Sequence, residues 1–343
     1  TTAERPSDCP PGSIRFNTDS AHLEYWNGLV WLEFEATSEE LGDQNNSNST
    51  GGTGTRGLFA GGKNTPANPF GSDVIDFITI STLGNSQDFG DLIQARFDLS
   101  ACSSSTRGVF GGGRTPADRN TLDFITISST GNASNFGDLT QARRALSACS
   151  SSTRGVFGSG RDPGFVNTLD YITISSTGNA SDFGDLTQAR SQVSGCSSST
   201  RGVFGGGSTP GFVNTIDYIT ISSTGNASDF GDLTQARGFL GACSSSTRGV
   251  FGGGYQPGSR DNLDYITISS TGDASDFGDL TQARYSLGAC SSSTRGVFGG
   301  GAPSYKDTID FITISSTGDA SDFGDLTQAR SFLSACSNGH GGL

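Results

Sequence analysis

The stretch Ser105–Gly113, STRGVFGGG, sets Arg107 two residues before the apolar pair Val109-Phe110 and ends in three glycines. A phosphate-cradling loop would need a helix after the glycines and, as a rule, a following Gly-Lys-Ser or Gly-Lys-Thr. Neither is present, so the stretch reads as a short strand whose glycines let the chain turn outward.

The same stretch returns along the chain. Its arginine recurs at Arg56, Arg107, Arg154, Arg201, Arg248 and Arg295, with a spacing of 47 residues after the second copy. An arginine in the string QAR recurs at Arg96, Arg143, Arg190, Arg237, Arg284 and Arg330. An aspartate before an apolar run recurs at Asp76, Asp123, Asp170, Asp217, Asp264 and Asp310. A fixed period of this length is the mark of a repeat architecture and outranks every local signal.

Each copy divides into four segments with strand character. In the fourth copy they are Phe239 to Ser246, Thr247 to Gly254, Asn262 to Ser270, and Phe277 to Ala283. The run YITI is aromatic and β-branched, which suits a pleated surface, and the intervening Gly, Asn, Asp and Ser clusters form turns. Four strands in about 47 residues fit one blade of a propeller, a sheet that must be covered by its neighbours on both faces. The expected fold is all-β: a six-bladed β-propeller of four-stranded antiparallel blades, preceded by a small β-meander. The first copy starts at its second strand, and the chain ends with an extra first strand, Ser331 to Asn338. That C-terminal strand is expected to complete the first blade and close the ring, removing an open edge.

The order of these segments resembles the kelch repeat over roughly Thr55 to Asn338. The resemblance assigns the end of the second strand to Gly61-Gly62, Gly112-Gly113, Gly206-Gly207, Gly253-Gly254 and Gly300-Gly301, with Ser159-Gly160 in the third copy. The late tryptophan of kelch blades is absent. Phe89, Phe136, Phe183, Phe230, Phe277 and Phe323 stand at its place.

Ahead of the repeats, residues 1–36 alternate apolar residues around turns at Asn17-Thr18-Asp19 and Asn27-Gly28, the pattern of a three-stranded meander. The cadence GSIRFNTD, LEYWNG, W is similar to a hairpin module of bacteriophage tail and other virion structural proteins. The resemblance implies attachment to other virion proteins and a location on the particle surface. Residues 37–54, rich in Asn, Ser, Glu and Gly, read as a linker, and residues 55–343 as the propeller.

Composition narrows the function. A formal charge of −13 disfavours nucleic acid and anionic membranes as partners. No apolar run approaches the roughly 18 residues needed to cross a bilayer, so no membrane insertion is expected. Of seven cysteines, Cys102, Cys149, Cys196, Cys243, Cys290 and Cys336 hold one position in the first strand of each copy, and they read as buried free thiols. The only histidines are His22 and His340, which argues against zinc and against a Ser/His/Asp site. Asp319, Asp322 and Asp325 repeat at a spacing that could present oxygens to calcium. Asn132 and Asn135 break that pattern in the second copy, so the acids read as turn caps and no cofactor is assigned. The many aspartates leave a glycosidase as an alternative, as is a cellular kelch-type interaction module, but nothing singles out two carboxylates. A non-enzymatic binding protein is the expectation.

Charges present in every copy are expected to hold neighbouring units together. This structural role is given to Arg107, Arg154, Arg201, Arg248 and Arg295 and to Asp123, Asp170, Asp217, Asp264 and Asp310. The copies differ in the loop after the glycines and in the pair following QAR, and both segments leave an antiparallel blade on the same side. That face carries Phe70, Phe97, Phe165, Phe212, Phe239, Tyr255, Tyr285, Tyr305 and Phe332 among Arg114, Arg119, Arg144, Arg161, Arg260 and Lys306. Aromatics mixed with cationic side chains suit recognition of a host-surface glycan or protein.

Overall fold

A computed structural model describes residues 5–6, 9–17, 19, 22–33, 55–65, 68 and 70–343. The chain groups into two units, Thr1–Gly52 and Thr53–Leu343. The proposed linker, 37–54, lies outside the described residues.

In the first unit, Ile14–Asn17, His22–Trp26 and Trp31–Glu33 form a three-stranded antiparallel sheet. Its burial is inverted relative to an ordinary half-buried sheet. Asn17 and Glu24 are fully buried, and Glu24 Oε1 accepts hydrogen bonds from Asn17 Nδ2 (2.9 Å) and Arg5. The opposite face, set by the pairs Phe16↔Leu23 and Tyr25↔Leu32, leaves Ile14, Phe16, Leu23 and Leu32 exposed.

The second unit is all-β among its described residues and consists of six four-stranded antiparallel sheets, plus two-stranded ribbons in three of the variable loops. One sheet is Ser100–Ser103, Arg107–Gly111, Thr121–Thr126 and Ser134–Asp138 in sequence order. Four more follow the same order, from Ser147–Ser150 to Ser321–Asp325. The sixth is built from both ends of the unit: Ser334–Ser337 pairs antiparallel with Arg56–Ala60, followed by Ser72–Thr79 and Gln87–Arg96. Each first strand lies against the first strands of two neighbouring sheets, and Ser334–Ser337 lies against Ser100–Ser103.

Fourth strands are shifted from their expected place. The fourth copy's runs over Ser275–Asp279 and stops before Leu280. A bulge between Leu263 and Asp264 offsets its register, and the expected strand residues Thr281 to Ala283 leave the sheet to reach the neighbouring one. Only the first copy continues, over Gln87–Arg96.

The apolar core lies between sheets. One cluster joins Val156, Leu169, Phe183 and Leu186 of one sheet to Phe204, Ile219 and Ile221 of the next. The phenylalanine at the missing tryptophan's place is buried in every copy; Phe136 meets Phe124 edge to face at 6.0 Å. The repeated glycine after the motif arginine has a packing cause. A Cβ on Gly155 would sit 2.4 Å from Cys102 Sγ of the preceding sheet, and Gly202 stands in the same relation to Cys149. All six repeated cysteines are free and buried. Burial pushes their thiols up, Cys196 and Cys336 to about 12.

Candidate binding face

The residues assigned to pairing exchange partners in the structure. Asp123 meets Arg96 of the preceding sheet at 3.0 Å, and Asp170 meets Arg143 at 3.1 Å. Asp217, Asp264 and Asp310 meet Arg190, Arg237 and Arg284, and Asp76 meets Arg330. Both partners are fully buried each time, so the QAR arginine, which the assigned set omitted, bears the ion pair. Among the described residues Arg107 meets no carboxylate. Its guanidinium lies over the Phe124 ring, 4.4 Å from the centroid, and donates at 2.9 Å to the Ile174 carbonyl of the next sheet. Arg154, Arg201, Arg248 and Arg295 make the same reach, to the carbonyls of Ile221, Ile268, Ile314 and Ile80. The motif arginine opens the second strand, with Arg107 opposite Thr126 and Phe110 opposite Asp123, too far along the strand from the aspartate, whereas QAR lies where the chain crosses over.

Among the described residues no group of three or more His, Cys, Asp or Glu side chains could hold a metal. The turn acids cap backbone instead: Asp319 Oδ1 accepts the Asp279 amide at 3.1 Å, and Asn179 Oδ1 accepts that of Asp138.

The loops after the glycines and the segments after QAR meet through backbone bridges such as Phe97↔Arg114 and Gly238↔Tyr255. Six of the aromatic residues join in a run of ring contacts. Phe97 meets Phe332 (6.4 Å), Phe332 meets Phe239 (6.0 Å), Phe239 meets Tyr285 (5.8 Å), Tyr285 meets Tyr255 (5.1 Å), and Tyr255 meets Phe212 (5.8 Å). Lys63 covers the Phe97 ring. The cationic residues are largely occupied. Arg144 binds the Asp118 carboxylate through 2.7 Å contacts, Arg114 donates to the Pro116 carbonyl, and Arg119 donates to that of Thr115. Arg161 lies over Phe165, apart from the aromatic run. Phe70, Tyr305, Lys306 and Arg260 also stand outside it; Phe70 is half exposed.

Two rings of hydrogen bonds cross all six sheets. At the variable side, the amide of Ala145 donates to Asp98, Gln192 to Ala145, Phe239 to Gln192, Ser286 to Phe239, Phe332 to Ser286, and Asp98 to Phe332, all at 2.8–3.0 Å. These residues follow QAR by two places, and all have φ between +52° and +62°, a left-handed conformation uncommon for non-glycine residues. Strain of this kind concentrates at binding and active sites. Beneath them lies a cavity of about 110 Å³ lined by the beginnings of all six first strands.

At the far end of those strands, serine hydroxyls make the second ring. Ser150 Oγ donates to Ser103 O (2.9 Å), Ser197 to Ser150, Ser244 to Ser197, Ser291 to Ser244, Ser337 to Ser291, and Ser103 to Ser337. His340 enters here, its Nε2 3.1 Å from the Ser103 carbonyl, and the Gly341 amide donates to Ser244 O. Burial lowers the His340 pKa, with the Ser103 carbonyl opposing.

The sequence reading placed the pair after QAR on the variable face but did not name Asp98, Ala145, Gln192 and Ser286 among the site residues. The signal was present: aligned on QAR, this position reads Asp, Ala, Gln, Phe, Ser, Phe, a different residue in nearly every copy. Asp98, part-buried, has its carboxyl pushed up to about 6 by burial. Arg144 and Lys63 oppose the shift, and Asp118 adds to it. No protein-family model and no curated protein matches the chain.

Proposed function

We propose that residues 55–343 form a six-bladed, kelch-like propeller that acts as a binding module of a virion structural protein, a tail fibre, spike or capsid decoration. Its variable face engages a host-surface glycan or protein, or neighbouring virion subunits, and its N-terminal meander docks to other virion proteins. The closed arrangement is supported by the return of contacts from Ser334–Ser337 to Ser100–Ser103 and by the cyclic hydrogen bonding through Asp98 and Phe332. The exposed apolar residues Ile14, Phe16, Leu23 and Leu32 support a docking role for the meander.

One observation carries the binding reading. Six equivalent positions share one backbone conformation and one hydrogen-bond pattern, yet present Asp, Ala, Gln, Phe, Ser and Phe. A framework repeated to that degree, holding side chains that are not repeated, suits recognition of an asymmetric ligand.

The test of placement is gold-labelled antibody against this chain, applied to intact particles from its source. Label on the particle surface is expected; label confined to cell material lacking particles would overturn the virion reading. Closure is tested by deleting Ser331 to Leu343, which removes the partner of Arg56–Ala60. The expected result is loss of cooperative unfolding, and an unchanged transition would refute it.

A further inference from the structure

We propose that the mouth of the axial cavity, lined by Asp98, Gln192, Ser286, Phe239 and Phe332, binds one neutral hexopyranose ring at the end of a glycan. The inference rests on the variable face being the recognition face and specifies its ligand.

The polar side chains at the mouth have unused hydrogen-bonding capacity. Among the described residues, neither the Asp98 carboxylate nor the Gln192 amide has a hydrogen bond or ion pair within the protein. The Ser286 hydroxyl is likewise unpartnered, although the residue is only 7% exposed. The buried Ser286 hydroxyl is costly without a partner, and the part-buried Asp98 and Gln192 side chains beside it add hydrogen-bonding capacity that a ligand carrying several donors and acceptors would use.

Their arrangement follows from the backbone ring. In its order, Asp98 stands across from Phe239, Gln192 across from Phe332, and Ala145 across from Ser286. Hydrogen-bonding groups therefore surround the opening while two aromatic residues occupy one side. A pyranose has this distribution of chemistry, with hydroxyls around its rim and C–H faces that pack on aromatic rings. The volume of about 110 Å³ is less than the roughly 150 Å³ that encloses a benzene, so the sugar seats one edge in the cavity and the rest of its ring lies at the open mouth.

Charge selects against the other small ligands. Asp98 repels an anion. A cation gains little, because Arg144, Lys63 and Arg114 already act on that carboxylate and would repel a second positive charge. A neutral polyhydroxyl compound avoids both penalties. The tail at His340 occupies the opposite end of the first strands, so entry is from the variable side.

The experiment titrates the full chain with methyl glucopyranoside, galactopyranoside, mannopyranoside and N-acetylglucosaminide, using saturation-transfer NMR. Saturable binding of at least one is expected. The double variant Asp98→Ala/Gln192→Ala should bind it at least about tenfold more weakly, as befits loss of hydrogen bonds to a charged and a neutral partner. Alanine fits both positions, since Ala145 holds the same ring position at φ +52°. A single cooperative unfolding transition would show that the variant is folded. No saturation with any glycoside, or equal affinity in the variant, overturns the inference. If the wild-type chain binds whole cells and the variant does so equally, the hexose site is refuted while the recognition face stands.

Discussion

Arg330 Nη2 lies 2.7 Å from Asp76 Oδ2, joining two fully buried side chains 254 residues apart in sequence. The same carboxylate accepts the amide of Thr327 at 3.2 Å and its hydroxyl at 2.6 Å. The string Leu-Thr-Gln-Ala-Arg is thus a clasp, whose threonine and arginine grip one aspartate of the next sheet. Breaking such a buried pair from one side costs about 3–5 kcal/mol, because the remaining charge is left without a partner.

The first copy has a defective clasp. Ile93 stands where the others have threonine, its amide reaches Asp123 Oδ2 at 3.3 Å, and Asp123 Oδ1 has no partner among the described residues. Burial raises the Asp123 pKa, with Arg96 opposing. Ile93→Thr should supply the missing hydroxyl and stabilise the chain by about 1–2 kcal/mol. Little apolar burial is lost, as Ile93 is 52% exposed. Thr187→Ile should do the reverse, and chemical unfolding of both variants checks the sign.

Gly155→Ala should destabilise by about 1–3 kcal/mol, since the added Cβ would overlap Cys102 Sγ. Cys102→Ala removes that sulfur and leaves the Cys102 Cβ at 3.4 Å, an ordinary contact. The double variant should therefore lose less than the sum of the single losses. Additive losses in a double-mutant cycle would show that the two residues do not interlock.

Thiol chemistry should separate Cys9 from the other cysteines. Cys9 is partly exposed, while the six repeated thiols are buried and held protonated well above neutral pH. A maleimide should label one site per native chain at pH 7 and seven in denaturant, counted by intact mass.

Stability should fall as pH rises through about 6. Asp98 has a folded pKa near 6, above the roughly 3.9 of an unfolded aspartate, so the native state binds more protons between those values. Its contribution is complete below about pH 4 and is lost as pH passes 6, a difference of about 1–3 kcal/mol. Asp98→Asn should remove that part of the dependence, as measured by unfolding at pH 4.5 and 7.5.

Much of the architecture was legible because repetition amplifies weak signals. One YITI run proves little, but six at a fixed interval specify stacked sheets, and a lone terminal first strand specifies its partner. The pairing of charges was less legible. Arg107 and Arg96 recur equally, and only the turn after Asp138 and its equivalents, which takes QAR across to the next sheet, decides which arginine meets the aspartate. The mouth was obscured for a different reason. Aromatic and cationic residues drew attention to the rim, while Gln192 and Ser286 are ordinary loop residues until a left-handed backbone sets them around one cavity.

That ring of backbone bonds relieves its side chains of any duty in holding it together. Ala145 contributes nothing beyond a methyl group, and its amide and carbonyl still carry their share. The six places therefore work as a dial of independent letters, now set to Asp, Ala, Gln, Phe, Ser and Phe. Rewriting a letter changes the lining of the mouth without asking the scaffold to refold, so one architecture admits many different linings by substitution alone.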